Sequence, residues 1–282
     1  MLALPKRLLR IVAPTPQRAV RLFAAANIGF LGVDIVIAHL ANEFARRIEW
    51  APVVFSAVAT PLLLPGAFGN TRAIFRHIDR VVAFCAILVG VAGMVLHLES
   101  GFFEQQTLHD LVYSAPFVAP VSYVGVGLLL LLVHSDDASR STFGPWVLFL
   151  ALGGFVGNFA LSLLDHAQNG FFRPSEWIPV AAAAYAVAFL ALALVRAPKR
   201  MSPELHRACT IVMLLQMAIG LLGAGLHVDA NLHHSAMTAM RDRFVFGAPA
   251  FAPLLFANLA LLALIGLWAC RDEQTTAADV PS

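Results

Sequence analysis

Apolar runs about twenty residues long decide what this chain can become. About 20 apolar residues cross the ~30 Å hydrocarbon core of a bilayer as a helix, and lipid offers unpaired backbone groups no other partner. Eight such segments are legible, at 19–41, 50–66, 81–98, 115–134, 143–166, 177–196, 207–228 and 247–270. Composition agrees. The 282 residues are 59% hydrophobic and 13% charged, the latter about half of the ~25% usual in soluble domains. The second segment carries Pro52, which suits a first helical turn, and Pro61, which is expected to kink or end the helix.

The expected fold is therefore all-α: a polytopic integral membrane protein with eight transmembrane helices. Of the 19 Lys and Arg, 14 fall in the N-terminal segment, the alternate loops at 66–80, 135–142 and 196–207, and the C-terminal tail. The remaining five (Arg46, Arg47, Arg173, Arg241, Arg243) fall in the opposite loops. The positive-inside rule then places both termini in the cytoplasm. Richness in Arg over Lys, with abundant Ala and Leu, is associated with GC-rich bacterial genomes, so a bacterial inner membrane is expected. Residues 1–18 read as an interfacial cytoplasmic segment, with Lys6, Arg7 and Arg10 near lipid headgroups. Residues 272–282 read as a disordered cytoplasmic tail. Cys85, Cys209 and Cys270 are isolated and suggest neither a disulfide framework nor a zinc site.

The chain repeats itself. His39-Leu-Ala-Asn42-Glu-Phe44-Ala-Arg46-Arg-Ile-Glu49-Trp50-Ala-Pro52 recurs 127 residues later as His166-Ala-Gln-Asn169-Gly-Phe171-Phe-Arg173-Pro-Ser-Glu176-Trp177-Ile-Pro179. The shared template is HxxNxFxRxxEWxP. The stretch Gly90 to Glu99 matches Gly220 to Asp229 at an offset of 130, and Ala115-Pro116-x-x-Ala119-Pro120 matches Ala248-Pro249-x-x-Ala252-Pro253 at 133. The domain expectation is a tandem duplication of a four-helix unit, 19–141 and 143–271. An even number of spans per copy gives both the same orientation, with a symmetry axis along the membrane normal.

The repeats bring out four histidines. His39, His97, His166 and His227 end the four odd-numbered spans, so equivalent positions imply one layer near the outer face. Imidazole is the commonest side-chain ligand for haem iron, copper and zinc, and bundle interiors commonly house such sites. The four are candidate ligands of haem b or of a transition metal ion (copper, iron or zinc). His39 can pair with His97 and His166 with His227, or the pairs can form across the pseudo-dyad; the sequence leaves both open. Glu99 and Asp229 are candidate direct metal ligands. Asn42, Asn169, Asp165, Glu49 and Glu176 are candidate hydrogen-bond partners of the ligating rings. The competing account is structural: a histidine at a helix C-terminus caps free carbonyls, and Glu49 and Glu176 favour the dipole at a helix N-terminus.

Other groups are read singly. Asp34 lies inside the bilayer, with Leu161 at the matched position, and an intramembrane carboxylate is a functional candidate. His109 and His233-His234 add outer imidazoles. His77, His134 and His206 read as solvated residues at cytoplasmic loops. The layout resembles that of haem A synthase in architecture alone: no motif is shared, the histidines here end odd rather than even helices, and no activity is carried over. No phosphate-binding loop, dinucleotide fingerprint, HExxH or CxxCH is present, so neither nucleotide nor nucleic acid is an expected partner. The functional expectation is a redox or metal-binding membrane protein whose partners are the lipid bilayer, a quinol or other membrane-soluble molecule, and a larger membrane complex. The alternatives are a cation or small-solute transporter, and an anchor or assembly subunit with structural histidines.

Overall fold

The computed structural model describes residues 15–68, 72–100, 103, 106–113, 115–134, 140–197, 201–234 and 236–278. Among them are α-helices and short turns, and no strand. In chain order the helices are α1 (Pro16–Leu40), α2 (Trp50–Ala67), α3 (Ala73–Glu99), α4 (Leu108–Tyr113), α5 (Val121–Val133), α6 (Arg140–Gln168), α7 (Trp177–Arg196), α8 (Pro203–Asp229), α9 (Met240–Val245) and α10 (Leu254–Ala278). Seven are long and apolar enough to cross a membrane, which makes this an integral membrane protein of helical type. α5 is apolar but only 13 residues long.

Local chemistry sets the ends. Thr15 and Ser202 accept the N–H of Arg18 and Leu205, each at 3.3 Å, with Pro16 and Pro203 in the first turn. α2 runs through Pro61 and Pro65 to Ala67, so of the two expected effects of Pro61 it does not end the helix; α1 packs along it and an apolar setting penalises unwinding. α3 begins eight residues before the apolar run, so that Arg76, His77 and Arg80 stay exposed while Asp79 turns inward. The fourth and eighth segments start later than expected. Their Pro116–Pro120 and Pro249–Pro253 stretches form turns, since proline has no N–H to extend a helix backward. α10 continues to Ala278, into the stretch expected to be disordered; residues 1–14 and 279–282 lie outside the described residues.

Within 16–134, α1 packs on α2 and α5, α3 on α5, and α2 on α3. Within 140–278, α6 packs on α7 and α10, α8 on α10, and α7 on α8. The two sets meet through α1 against α10 and α5 against α6. Asn27 of α1 and Asn258 of α10 exchange amide hydrogen bonds across this seam. The core is chiefly Val, Leu, Ala and Phe, with Ile28, Leu63, Phe155 and Leu190 almost fully buried. Gly90 and Gly93 lie against Pro120, and Gly220 and Gly223 against Pro253, the close approach that small residues permit. No disulfide joins Cys85, Cys209 or Cys270, and Cys209 and Cys270 are buried.

One expectation fails at the end of the bundle away from Glu49 and Glu176. His134 is not solvated: its side chain is 7% exposed, and Nε2 lies 2.6 Å from Asp79 Oδ2. Helix packing brings Arg21, Asp79 and His134 together, and no periodicity in the sequence reports such a contact. His77 is exposed, as expected.

Candidate functional site at the histidine end

The two copies of HxxNxFxRxxEWxP build the same corner. Each begins at a histidine in the last turn of a helix, His39 of α1 or His166 of α6. The chain then turns through left-handed residues, Glu43 and Phe44 (φ 56° and 52°) or Gly170 and Phe171 (φ 67° and 50°). The N–H of Phe44 donates to His39 O at 3.1 Å, and that of Phe171 to His166 O at 3.1 Å. Each Phe ring stacks on the Trp that opens the next helix, with centroids 4.1 Å apart for Phe44–Trp50 and 4.0 Å for Phe171–Trp177. Between them, Arg46 and Arg173 are extended, and single 3-10 turns (Arg47–Glu49, Pro174–Glu176) precede α2 and α7.

The outcome of this corner is a carboxylate folded back onto a histidine. Glu49 Oε2 lies 3.2 Å from His39 Nδ1, and Glu176 Oε2 lies 3.7 Å from His166 Nδ1. Neither Glu caps its own helix through the side chain. Both Oε2 atoms are buried and lack an aligned hydrogen-bond donor, despite the nearby rings. Asn42 Nδ2 holds the other oxygen, Glu49 Oε1, at 3.4 Å. Its counterpart Asn169 is exposed and meets His166 only through a backbone N–H, at 3.2 Å.

The second histidine of each set is fixed by the backbone. His97 Nδ1 lies 3.0 Å from Pro116 O, and His227 Nδ1 lies 2.9 Å from Pro249 O. A carbonyl only accepts, so in both rings Nδ1 carries the hydrogen, and in the neutral tautomer that this fixes Nε2 is the nitrogen with the lone pair. The reason lies four residues on. A helical carbonyl at position 116 or 249 would take the N–H of residue 120 or 253, but both are prolines and have none. Pro116 O and Pro249 O each take one turn N–H, from Ala119 at 3.1 Å and from Ala252 at 3.3 Å, and the repeated PxxxP spacing leaves the second lone pair to the imidazole.

The histidines associate within each copy. The rings of His39 and His97 have centroids 6.2 Å apart at 61°, and His166 and His227 are close enough to interact electrostatically. Two metal–imidazole bonds of about 2.0–2.1 Å each place the two ring nitrogens about 4 Å apart, which ring centres at 6.2 Å accommodate. His39 and His166 are about a fifth exposed. Among the described residues no three His, Cys, Asp or Glu side chains converge as a ready-made metal cage.

The expected outer carboxylates take other places. Glu99 is exposed, and Asp229 accepts from His233 Nδ1 at 2.9 Å. Asp165 is half-buried in the last turn of α6. His109 is exposed and lies 3.6 Å from Asp110. Asp34 is half-buried in α1 and interacts electrostatically with Tyr123. No motif in the sequence marks Ser56 and Tyr123, whose hydroxyls bond at 2.7 Å, with Tyr123 Oη donating to Pro52 O at 3.4 Å. Neither residue recurs in the second copy, where the matched positions are Ala183 and Phe256. No family model, curated protein or solved structure matches the chain.

Proposed function

We propose that the chain is a metal-binding, redox-active protein of a bacterial inner membrane. It is built from two copies of a four-helix unit, 19–141 and 143–271, with eight spans and both termini cytoplasmic. Each copy carries one two-histidine centre at the outer face, His39 with His97 and His166 with His227. The metal is haem iron or a bare copper, iron or zinc ion, ligated through Nε2. The function is electron transfer, or oxidation of a membrane-soluble substrate such as a quinol.

One observation carries this reading. In both copies a histidine gives its Nδ1–H to a proline carbonyl and leaves Nε2 free, beside a second histidine whose Nδ1 lies near a buried carboxylate. Ligating histidines almost always hand their other N–H to a carbonyl or carboxylate. The buried, donorless Oε2 of Glu49 and of Glu176 supports a positive charge at that point.

The test is visible absorbance and bound copper, iron and zinc for the purified protein and for His39→Ala, His97→Ala, His166→Ala and His227→Ala. One centre per copy predicts that each variant loses about half of the bound species. A single shared centre predicts complete loss in every variant. A wild type carrying neither haem nor stoichiometric metal, purified aerobically and under reduction, overturns the reading. A second reading, cation translocation, draws on half-buried Asp34 in α1; ion uptake into vesicles that persists without any bound metal would favour it.

A further inference from the structure

The far end of the bundle holds three ionisable side chains that the proposed metal chemistry does not use. Arg21 of α1, Asp79 of α3 and His134 at the end of α5 are 11%, 2% and 7% exposed. Asp79 Oδ2 accepts from Arg21 Nε at 3.0 Å, from Arg21 Nη2 and from His134 Nε2. Arg21 Nη1 also donates to Gly66 O of α2 at 3.1 Å. Three helix segments thus meet on one carboxylate oxygen, and α2 joins them through Arg21. Outside this knot, Arg80 Nη2 donates to His134 O at 3.4 Å and Arg18 Nη2 to Phe68 O at 3.0 Å. α2 brings no charged side chain.

The chain contains its own control. At the offsets set by the repeats, Arg21 corresponds to Leu148, Asp79 to Cys209, His134 to Leu267 and Gly66 to Ala193. All four second-copy residues are buried, none above 1% exposed. The same corner therefore packs well without charge. A buried ion cluster is often no more stabilising than apolar residues of similar volume, so stability alone does not account for the charges in the first copy. Intramembrane ionisable groups mark proton and ion steps.

We propose that Arg21, Asp79 and His134 form a proton-binding site open to the aqueous phase at this end. With Asp79 ionised, His134 Nε2 carries the hydrogen that points at Oδ2, since the carboxylate only accepts. The incoming proton then bonds to the lone pair on Nδ1, leaving a donor hydronium as water. No existing hydrogen bond breaks, and the cluster goes from neutral to one positive charge. Asp79 favours that charge, while Arg21, whose Nη2 lies 3.3 Å from Nε2, opposes it. The two together set the proton affinity.

The experiment is nitrogen NMR of the full chain in lipid nanodiscs, with labelled histidine and the His134 signals assigned by their loss in His134→Gln. Across about pH 5 to 9, Nδ1 is expected to change from lone-pair to N–H type while Nε2 stays protonated. Asp79→Asn is expected to weaken proton binding about tenfold or more, and Arg21→Gln to strengthen it comparably. A purely structural clasp gives His134 nitrogens that do not change over this range in the folded wild type, and that result overturns the proposal without needing any variant to fold.

Discussion

Single atoms in the connecting segments govern how firmly the histidine end is closed. Thr107 and Asp110 cap α4 reciprocally: Thr107 Oγ1 donates to Asp110 Oδ2 at 2.6 Å, and the N–H of Asp110 donates to Thr107 Oγ1 at 3.1 Å. The Thr107 hydroxyl, helped by its N–H and by His109, holds the Asp110 carboxyl below its ordinary range. A depressed carboxyl favours the ordered turn above the ordinary carboxylate pKa and loses that contribution as pH falls through the lowered value. Hydrogen exchange at residues 107–113 is therefore expected to accelerate below about pH 4, and Thr107→Ala should exchange faster above that pH and show a smaller change on acidification. Equal exchange in both proteins at every pH would refute this. The helix matters because Gln168 Nε2, two residues from His166, donates to Val112 O at 2.7 Å. At this scale the sequence was partly legible. Repetition picked out His39, His97, His166, His227, Glu49 and Glu176, but nothing in a sequence shows that Arg21 and His134 reach the same oxygen from helices 113 positions apart.

Between helices, the PxxxP turns and the glycines facing them act together. A Cβ on Gly90 would come within 2.8 Å of Pro120 O and 2.7 Å of a Val124 methyl; on Gly220 it would come within 2.8 Å of Pro253 O. Backbone oxygen cannot yield as a flexible side chain does, so Gly90→Ala and Gly220→Ala should each cost about 1–3 kcal/mol. Each should also draw a proline carbonyl away from His97 or His227. The check is unfolding in detergent together with bound metal. Gly125→Ala, where a Cβ meets nothing within 4 Å, is the control and should leave both unchanged. The small-residue stripe and the paired prolines were visible in the sequence; their union in one contact was not, because periodicity along one helix carries no information about which neighbour it meets. Helix limits were missed for a related reason. Apolar counting ignores the missing N–H of Pro116, Pro120, Pro249 and Pro253 and so runs the fourth and eighth segments too far back.

Across the whole molecule, the matched sequence positions suggest a substitution that exchanges one corner's residues for the other's. Asp79→Asn alone leaves Arg21 without its counter-charge and should destabilise by about 3–5 kcal/mol, whereas the triple change R21L/D79C/H134L, which copies the second corner, should match the wild type or exceed it by about 1–4 kcal/mol. Denaturant titration of the three proteins decides this; a triple variant weaker than Asp79→Asn would mean that the corners are not interchangeable. The connecting segments cross between the two helix sets. α4 packs on α6, and α9 packs on α1, with Phe251 edge-on to Phe30 at 5.4 Å. During synthesis the first helix is thus made long before the segment that covers it. A nascent chain halted anywhere before residue 240 leaves that flank of α1 open to lipid or to an insertion factor, so the packing of α1 is completed only when a segment two hundred positions downstream has been made.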